Sequence, residues 1–119
     1  MRATGDAFED RALAHLERAG LKVVARNFRT RFGELDLIMR DGATLVFVEV
    51  RYRRNRGYGG AAMSVTARKR ERLVLAAEGY LAAHPEHAAR DCRFDVIAFE
   101  GDAEHPDTAW HRAAFDAEA

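Results

Sequence analysis

Apolar residues recur along the chain at two spacings, one typical of helices and one typical of strands. Residues 4–19 place apolar side chains on one helical face and are followed by Gly20, so they predict a first helix. Residues 65–84 follow the same spacing and predict a second helix, with Ser64 or Thr66 as its N-terminal cap. The chain therefore carries two amphipathic helices far apart in sequence.

Shorter apolar runs predict strands at residues 21–29, 34–40, 44–52 and 92–100. Residues 108–115 are expected to form either a short edge strand or a closing segment, and residues 57–62 a flexible loop. The second to fourth strands are apolar on both faces, which indicates a central sheet covered by helices on each side. The order α-β-β-β-α-β, with a further strand allowed, predicts a mixed α/β fold.

A chain of 119 residues fits one domain, so residues 1–119 are expected to fold together, with the last few frayed. No apolar run reaches the length of a membrane span, and the charged N-terminus lacks the apolar centre of a signal peptide. The single cysteine, Cys92, excludes an intrachain disulfide and a CxxC zinc pattern. These features predict a cytoplasmic protein without a membrane partner.

The formal net charge is zero, but basic residues are concentrated between positions 51 and 72. Eight basic residues lie there against one acid, Glu71: Arg51, Arg53, Arg54, Arg56, Arg68, Lys69, Arg70 and Arg72. Such a cluster is typical of phosphate-backbone binding, and the alternative is a solvated surface. Tyr52 or Tyr58, beside the glycine-rich loop, can stack on a base.

Three acidic residues, Glu34, Asp36 and Glu49, lie in the second and third predicted strands. A two-residue turn at Asp41-Gly42 would pair Asp36 with Phe47 and Glu34 with Glu49. Because side chains alternate across a strand, this register places the three carboxylates on one face of the sheet. Asp36 and Glu49 would then be diagonal neighbours about 7 Å apart.

Carboxylates gathered on one sheet face repel each other, and a divalent cation removes that repulsion. Asp36 and Glu49 are therefore candidate ligands of Mg²⁺, which takes oxygen ligands and retains water. Arg51 falls on the same face, so a buried ion pair with Glu49 is the alternative interpretation. Asp95, in the fourth strand, either extends the acidic group or pairs with an arginine, and we favour the pair.

Lys69 lies within the apolar stripe of the second helix. At 100° per residue, Val65, Leu73, Ala76 and Tyr80 fall within about 40° of it. This placement directs the ammonium group toward the sheet, where it can orient a water molecule or neutralise a phosphoryl oxygen. The alternative is a lysine whose stem covers apolar surface while its charge reaches solvent.

The segments GELDLIMRDGATLVFVEVRYRR, GGAAMSVTARKRERL and RFDVIAF, at residues 33–54, 59–73 and 93–99, resemble the YraN family of bacterial proteins. The family's fold is similar to that of the PD-(D/E)xK nucleases, which include Holliday junction resolvases and type II restriction enzymes. The resemblance extends from Gly5 to about Phe115. It implies a restriction-endonuclease-like mixed sheet flanked by helices.

Carried over residue by residue, the resemblance places Asp36 at the metal-binding "PD" acid and Glu49 at the (D/E) position. Glu9 matches the helix-borne glutamate that some resolvase-like enzymes add to the metal site. Arg51 stands where the nuclease motif has its catalytic lysine, and Lys69 is then a lysine that has migrated to the helix. Because arginine stays protonated, Arg51 is a poor general base but a suitable clamp for phosphate.

The leading hypothesis is a Mg²⁺- or Mn²⁺-dependent endonuclease that acts on DNA. The expected catalytic residues are Glu9, Asp36, Glu49, Arg51 and Lys69. The expected nucleic-acid contacts are Arg51, Arg53, Arg54, Arg56, Tyr58, Arg68 and Arg70. The alternatives are a non-catalytic nucleic-acid-binding module and a protein-interaction domain that uses the acidic C-terminal segment. By analogy with resolvases, a homodimer is expected.

Overall fold

The structure is a computed structural model that describes residues 4–55 and 60–117. In chain order its elements are α1 (Thr4–Arg18), β1 (Lys22–Thr30), β2 (Gly33–Asp41), β3 (Thr44–Arg53), α2 (Gly60–Met63), α3 (Ala67–Ala83), a 3-10 turn (Pro85–His87), β4 (Cys92–Glu100) and β5 (Asp107–Phe115).

The two long helices and the first four strands lie where the sequence predicted them, and residues 108–115 belong to an edge strand. The predicted loop over residues 57–62 is wrong in its second half, because the chain is already helical from Gly60. Its first half lies outside the described residues. Of the two predicted caps of α3, Thr66 is the one used, since its hydroxyl accepts the backbone N–H of Lys69 at 3.3 Å.

The five strands form one sheet in the order β1-β2-β3-β4-β5. β3 and β4 run parallel, and the other neighbouring pairs are antiparallel. Parallel neighbours need a long crossover, which α3 supplies. The predicted mixed α/β class is confirmed, and the arrangement is compatible with a restriction-endonuclease-like fold. Among the helices of the described ranges, none is long and apolar enough to cross a bilayer.

Strand β3 is buried on both faces, as the sequence predicted. Leu45 and Phe47 join the apolar core beneath α3, whereas Val46 and Val48 join a second core beneath α1. Both cores bury side chains of the same central strand, so β3 is held from each side. Its C-terminal half, where polar residues replace some of the apolar ones, therefore continues from a first half that is buried on both faces.

The hairpin between β2 and β3 turns at Gly42-Ala43 rather than at Asp41-Gly42. Asp41 pairs with Thr44, which shifts the register by two residues from the predicted one. Gly42 has a φ of 60°, a left-handed conformation that glycine adopts at little cost. The turn therefore contains Gly42, as predicted, but its second residue is Ala43 and Asp41 belongs to the strand.

The shift corrects the predicted partners, because Glu34 does not face Glu49 and Asp36 does not face Phe47. Continuing the observed register by one residue beyond its last pair places Asp36 opposite Glu49. A shift of two residues preserves the alternation of side chains, so both carboxylates still project from the same face. They are closer together than the sequence predicted.

Asp95 anchors the edge strand β5 to β4. Its carboxylate is fully buried and accepts hydrogen bonds from Arg93 Nε at 3.0 Å, Trp110 Nε1 at 2.9 Å and the Ala113 backbone N–H at 3.0 Å. The interpretation of Asp95 as an ion-pair partner is therefore confirmed. Since two of these donors belong to β5, the contact also decides where that strand lies.

Candidate metal centre

The site lies where β2 and β3 stop pairing. The last residues that pair at this end are Leu37 and Val48, and Asp36, which precedes Leu37 in the chain, lies just beyond them where the strands separate. The Asp36 carboxylate accepts the backbone N–H of Val50 at 2.9 Å, a donor that would otherwise lack its ladder partner. Asp36 is thereby held across the gap, with its carboxyl group within hydrogen-bonding reach of that of Glu49.

Asn27 holds two further carboxylates beside this gap. It lies in the middle of β1 with a φ of 53°, in the left-handed region that asparagine tolerates better than most residues. Its side-chain amide donates to Glu9 Oε1 and to Glu34 Oε1, each at 2.9 Å. Sequence reasoning missed Asn27, because β1 contains several other polar residues and nothing in the local pattern sets Asn27 apart from them.

Glu9, Glu34 and Asp36 converge from two elements, α1 and β2. Each offers a carboxylate oxygen, and these atoms all lie within 4.8 Å of one another. Glu9 comes from α1 and is buried, whereas the two β2 residues are half-buried. Hard oxygen donors at such spacing fit Mg²⁺ or Mn²⁺. The cluster includes two of the three predicted ligands, Glu9 and Asp36, but not the third, Glu49. It adds Glu34, which was predicted on the same face but not as a ligand.

Burial raises the pKa of two carboxyl groups at the site. The pKa of Glu49 rises from 4.5 to about 8, first because of burial and then because of the neighbouring Asp36 charge. Burial also raises the pKa of Asp36, against the lowering effect of the Val50 N–H. With a pKa of about 8, Glu49 therefore favours the protonated form near neutral pH when no cation is bound, and the pKa of Asp36 is shifted in the same direction. A divalent cation would reverse that preference and release protons.

Arg51 is held inside the site. Its Nε donates to Ser64 Oγ at 2.9 Å, and its Nη1 lies 3.4 Å from Glu49 Oε2. The Arg51 and Glu49 side chains are 17% and 12% exposed, so this ion pair is largely buried. The alternative of a buried ion pair at the strand end is thus observed. A ligand phosphate could contact Arg51 only where this pairing leaves its N–H groups available.

Lys69 stands in the first turn of α3 and is half-buried, as its place in the apolar stripe predicted. Its pKa is lowered, first by partial burial and then by the charges of Arg51 and Arg53, while Glu49 opposes that change. The ammonium group therefore lies on the side of α3 that faces the Glu49 end of the site. The predicted position of Lys69 agrees with the structure, and its role remains a prediction.

The predicted nucleic-acid contacts differ in their surroundings. Arg53, Arg54 and Arg68 are exposed, whereas Arg70 is half-buried; Arg56 and Tyr58 lie outside the described residues. Tyr52 cannot stack on a base, because its ring stacks on Phe8 with centroids 4.4 Å apart and its hydroxyl donates to the Gly101 carbonyl. That alternative for Tyr52 is wrong, because the ring completes the core beneath α1.

Comparison with known proteins places the chain among sequences of similar length. Residues 8–99 match the family described as Uncharacterised protein family UPF0102. A UPF0102 protein of Xanthomonas campestris pv. campestris is 59% identical over 111 residues, covering 93% of this chain and 89% of that protein.

A UPF0102 protein of Dechloromonas aromatica is 53% identical over 116 residues, covering 98% of this chain and 91% of that protein. Another, of Ralstonia nicotianae, is 54% identical over 121 residues and covers 98% and 89% of the two chains. The family match includes Glu9, Asn27, Glu34, Asp36 and Glu49, since all lie between residues 8 and 99. The chain belongs to the UPF0102 family, also known as the YraN family.

Proposed function

We propose that this protein binds Mg²⁺ or Mn²⁺ at Glu9, Glu34 and Asp36 and hydrolyses nucleic acid, with DNA as the expected substrate. The observation that carries the proposal is the convergence of three carboxylate oxygens within 4.8 Å of one another where β2 and β3 separate. The resemblance of the chain to PD-(D/E)xK nucleases supports the same assignment. A cation bound there would stabilise the negative charge that develops on a phosphoryl oxygen.

The surrounding side chains suit phosphodiester hydrolysis, in which a water oxygen bonds to phosphorus as a P–O bond breaks. Lys69, on the Glu49 side of α3, is assigned to hold that water or to neutralise a phosphoryl oxygen. Arg51 is fixed by Ser64 and stays charged, so it contacts phosphate without accepting a proton. Glu49 is available as a further oxygen ligand once it is deprotonated.

The exposed arginines favour a nucleic-acid partner for this site. Arg53 and Arg54 continue β3 past Arg51, and Arg68 begins the helix that carries Lys69. Exposed basic side chains at the end of β3 and the start of α3 attract the phosphate backbone and offset the negative charge of the carboxylates. A homodimer and a cytoplasmic location remain expectations from the sequence.

The test is a cleavage assay on branched, flapped and single-stranded DNA with Mg²⁺ or Mn²⁺. Asp36→Asn removes one charge from the cluster and is expected to abolish cleavage. Glu17→Gln, which neutralises an exposed carboxylate on α1, is the matched control and should cleave like the wild type. Cleavage that survives Asp36→Asn would reveal a contaminating nuclease and overturn the assignment.

A second candidate function is a nucleic-acid-binding module without catalysis. The observation that favours it is the Arg51–Glu49 pair, because it occupies a potential metal ligand and supplies no lysine at that position. DNA binding with a steep salt dependence, unchanged in Asp36→Asn and with no cleavage in either protein, would support this alternative. Loss of metal binding alone would not distinguish the two.

A further inference from the structure

A second concave site lies between the start of α3 and strands β4 and β5. Its volume is about 520 Å³, within the range of pockets that hold small ligands. Its lining includes Val65, Thr66, Arg70, Val96, His111 and Phe115. None of these residues belongs to the carboxylate cluster, so the cavity is a separate feature of the same sheet face.

Arg70, which lines the cavity, has a buried hydrogen-bond donor without an acceptor. Its Nε is buried and has no hydrogen-bond partner, and among the described residues it is the one buried side-chain nitrogen or oxygen in that condition. A buried donor left without an acceptor destabilises the folded state. The side chain as a whole is only half-buried, so the guanidinium can turn toward an anion that enters the cavity. An oxyanion would then meet Nε and a neighbouring Nη together.

Two further polar groups border the cavity. The Thr66 hydroxyl accepts the Lys69 backbone N–H, which leaves its own proton available for donation. His111 is exposed and presents its imidazole at the β5 side. Arg112 also borders the cavity, but its guanidinium lies 4.0 Å from the Trp110 ring centre and is already engaged. The polar donors are therefore concentrated around Arg70.

The rest of the lining is apolar. Val65, Val96 and Phe115 are buried members of the core beneath α3 and form the floor. A site for inorganic phosphate alone has no need of such a floor. Donors beside an apolar surface match a ligand that joins a phosphate to a sugar and a base.

The cavity and the carboxylate site lie at one level of the sheet. Asp36 lies opposite Glu49, Glu49 is paired with Val96, and Val96 with His111, so two to three strand spacings separate Asp36 from the lining of the cavity. That separation is about 10–15 Å, from the usual distance between neighbouring strands. Along a stacked nucleic-acid strand it corresponds to about three to four nucleotides at about 3.4 Å each.

We propose that this cavity is a nucleotide subsite. Arg70, with Thr66 and His111, binds the phosphate, and the sugar or base rests on Val65, Val96 and Phe115. The assignment of the ligand to a nucleic-acid strand rests on the proposed function, whereas binding of a nucleotide phosphate does not. The subsite holds a nucleotide a few positions from the phosphate that lies at the carboxylates.

The test is a titration of ¹⁵N-labelled protein in EDTA with four probes: inorganic phosphate, deoxyadenosine, dAMP and a short single-stranded oligodeoxynucleotide. We expect dAMP and the oligonucleotide to shift the amide signals of Thr66, Arg70 and His111. We also expect dAMP to bind about tenfold more tightly than phosphate or the nucleoside alone, because only dAMP contacts both the donors and the floor.

Arg70→Gln should weaken dAMP binding about tenfold, whereas Arg18→Gln, the matched loss of an exposed charge on α1, should change it less than about twofold. Arg70→Gln should fold normally, because it removes a buried donor that has no acceptor. Arg70→Lys provides a second variant that retains the charge but cannot offer the paired donors, and it should also weaken binding.

Equal losses in the Arg70 and Arg18 variants would indicate diffuse charge attraction and overturn the subsite. Phosphate that binds as tightly as dAMP would overturn the nucleotide assignment, and an oligonucleotide that leaves these amides unmoved would overturn the assignment to a strand. The titration uses no metal and can be repeated in Asp36→Asn. Failure of metal binding or cleavage would therefore leave this result intact, and an unresponsive cavity in a protein that cleaves DNA would overturn the subsite alone.

Discussion

The Asp36 carboxylate accepts the Val50 backbone N–H at 2.9 Å across the gap where β2 and β3 stop pairing. The contact gives the Val50 N–H its hydrogen-bond acceptor. It also holds the Asp36 carboxylate close to those of Glu9, Glu34 and Glu49. These two consequences oppose each other energetically, because the hydrogen bond stabilises the fold while the crowded charges destabilise it. A bound cation would remove the conflict.

Substitutions of Asp36 should separate the hydrogen bond from the charge. Asp36→Asn can still accept the Val50 N–H, whereas Asp36→Ala cannot, and both remove the charge. In EDTA we expect the asparagine variant to be more stable than the alanine variant by about 1–3 kcal/mol, measured by urea unfolding. Both should weaken Mg²⁺ binding at least about tenfold, measured by calorimetry. Equal stability of the two variants would contradict the importance of the hydrogen bond.

Substitutions of Asn27 should show whether its amide organises the carboxylates. Asn27→Gly suits the left-handed backbone but loses both hydrogen bonds, and Asn27→Ala loses the bonds and strains the backbone. We expect the alanine variant to be less stable than the glycine variant by about 1 kcal/mol. Both should bind Mg²⁺ about tenfold more weakly, because Glu9 and Glu34 lose their common donor. Unchanged metal affinity in the glycine variant would show that Asn27 has a backbone role only.

The raised pKa of Glu49 predicts a pH dependence of stability. Its folded-state pKa is about 8 and its ordinary value is 4.5, so the folded protein retains a proton that the unfolded chain loses. The contribution of Glu49 is therefore fully present below about pH 4.5, falls as pH rises toward about 8, and is constant above that. The raised pKa of Asp36 acts in the same direction.

Urea unfolding of the metal-free protein across this range, compared with Glu49→Gln, measures the effect. The wild type should lose stability relative to the variant as pH rises, by an amount on the order of a few kcal/mol. Glu17→Gln should retain the wild-type profile, because Glu17 is exposed. A constant difference between wild type and Glu49→Gln would show that folding does not raise the pKa of Glu49.

Lys69 provides the activity test of the proposed mechanism. Lys69→Met keeps an apolar stem but removes the ammonium group, and we expect it to lower the cleavage rate by about 10²–10⁴-fold with folding intact. The matched control is Lys22→Met, which removes the other lysine of the chain at the exposed start of β1. If the Lys69 variant retained the wild-type rate and pH profile, Lys69 would have no part in the reaction, and its role would be to cover apolar surface with its aliphatic stem.

Asp95 should be the most sensitive acidic position for stability. Removing its carboxylate leaves Trp110 Nε1 and the Ala113 N–H without their acceptor, and leaves the Arg93 guanidinium with Asp41 as its remaining partner. We expect Asp95→Ala to lower the free energy of unfolding by about 3 kcal/mol or more. Asp91→Ala, at an exposed neighbouring position, should change it by less than about 0.5 kcal/mol. Chemical denaturation of both variants gives the comparison.

The local pattern of the chain determined its elements. The bounds of α1, α3 and β1 to β4 follow from apolar spacing and from turn residues, because those signals are carried by neighbouring side chains. Burial of β3 on both faces also followed, since apolar residues occupy both parities of that strand. The common face of Asp36 and Glu49 could be predicted because side-chain alternation survives a register shift of two residues.

Tertiary structure alone decided how close the charged groups approach each other. The turn at Gly42-Ala43 sets Asp36 opposite Glu49, and the left-handed backbone at Asn27 brings Glu9 and Glu34 together. Neither follows from sequence spacing, because a one-residue choice of turn or a single unusual φ is settled by packing across the whole sheet. The engagement of Arg51 by a serine thirteen residues away and the unmet donor of Arg70 depend on that same packing. The alternation of side chains in the sequence determined which sheet face carries Asp36 and Glu49. Contacts between distant segments determined which carboxylates lie close together on that face.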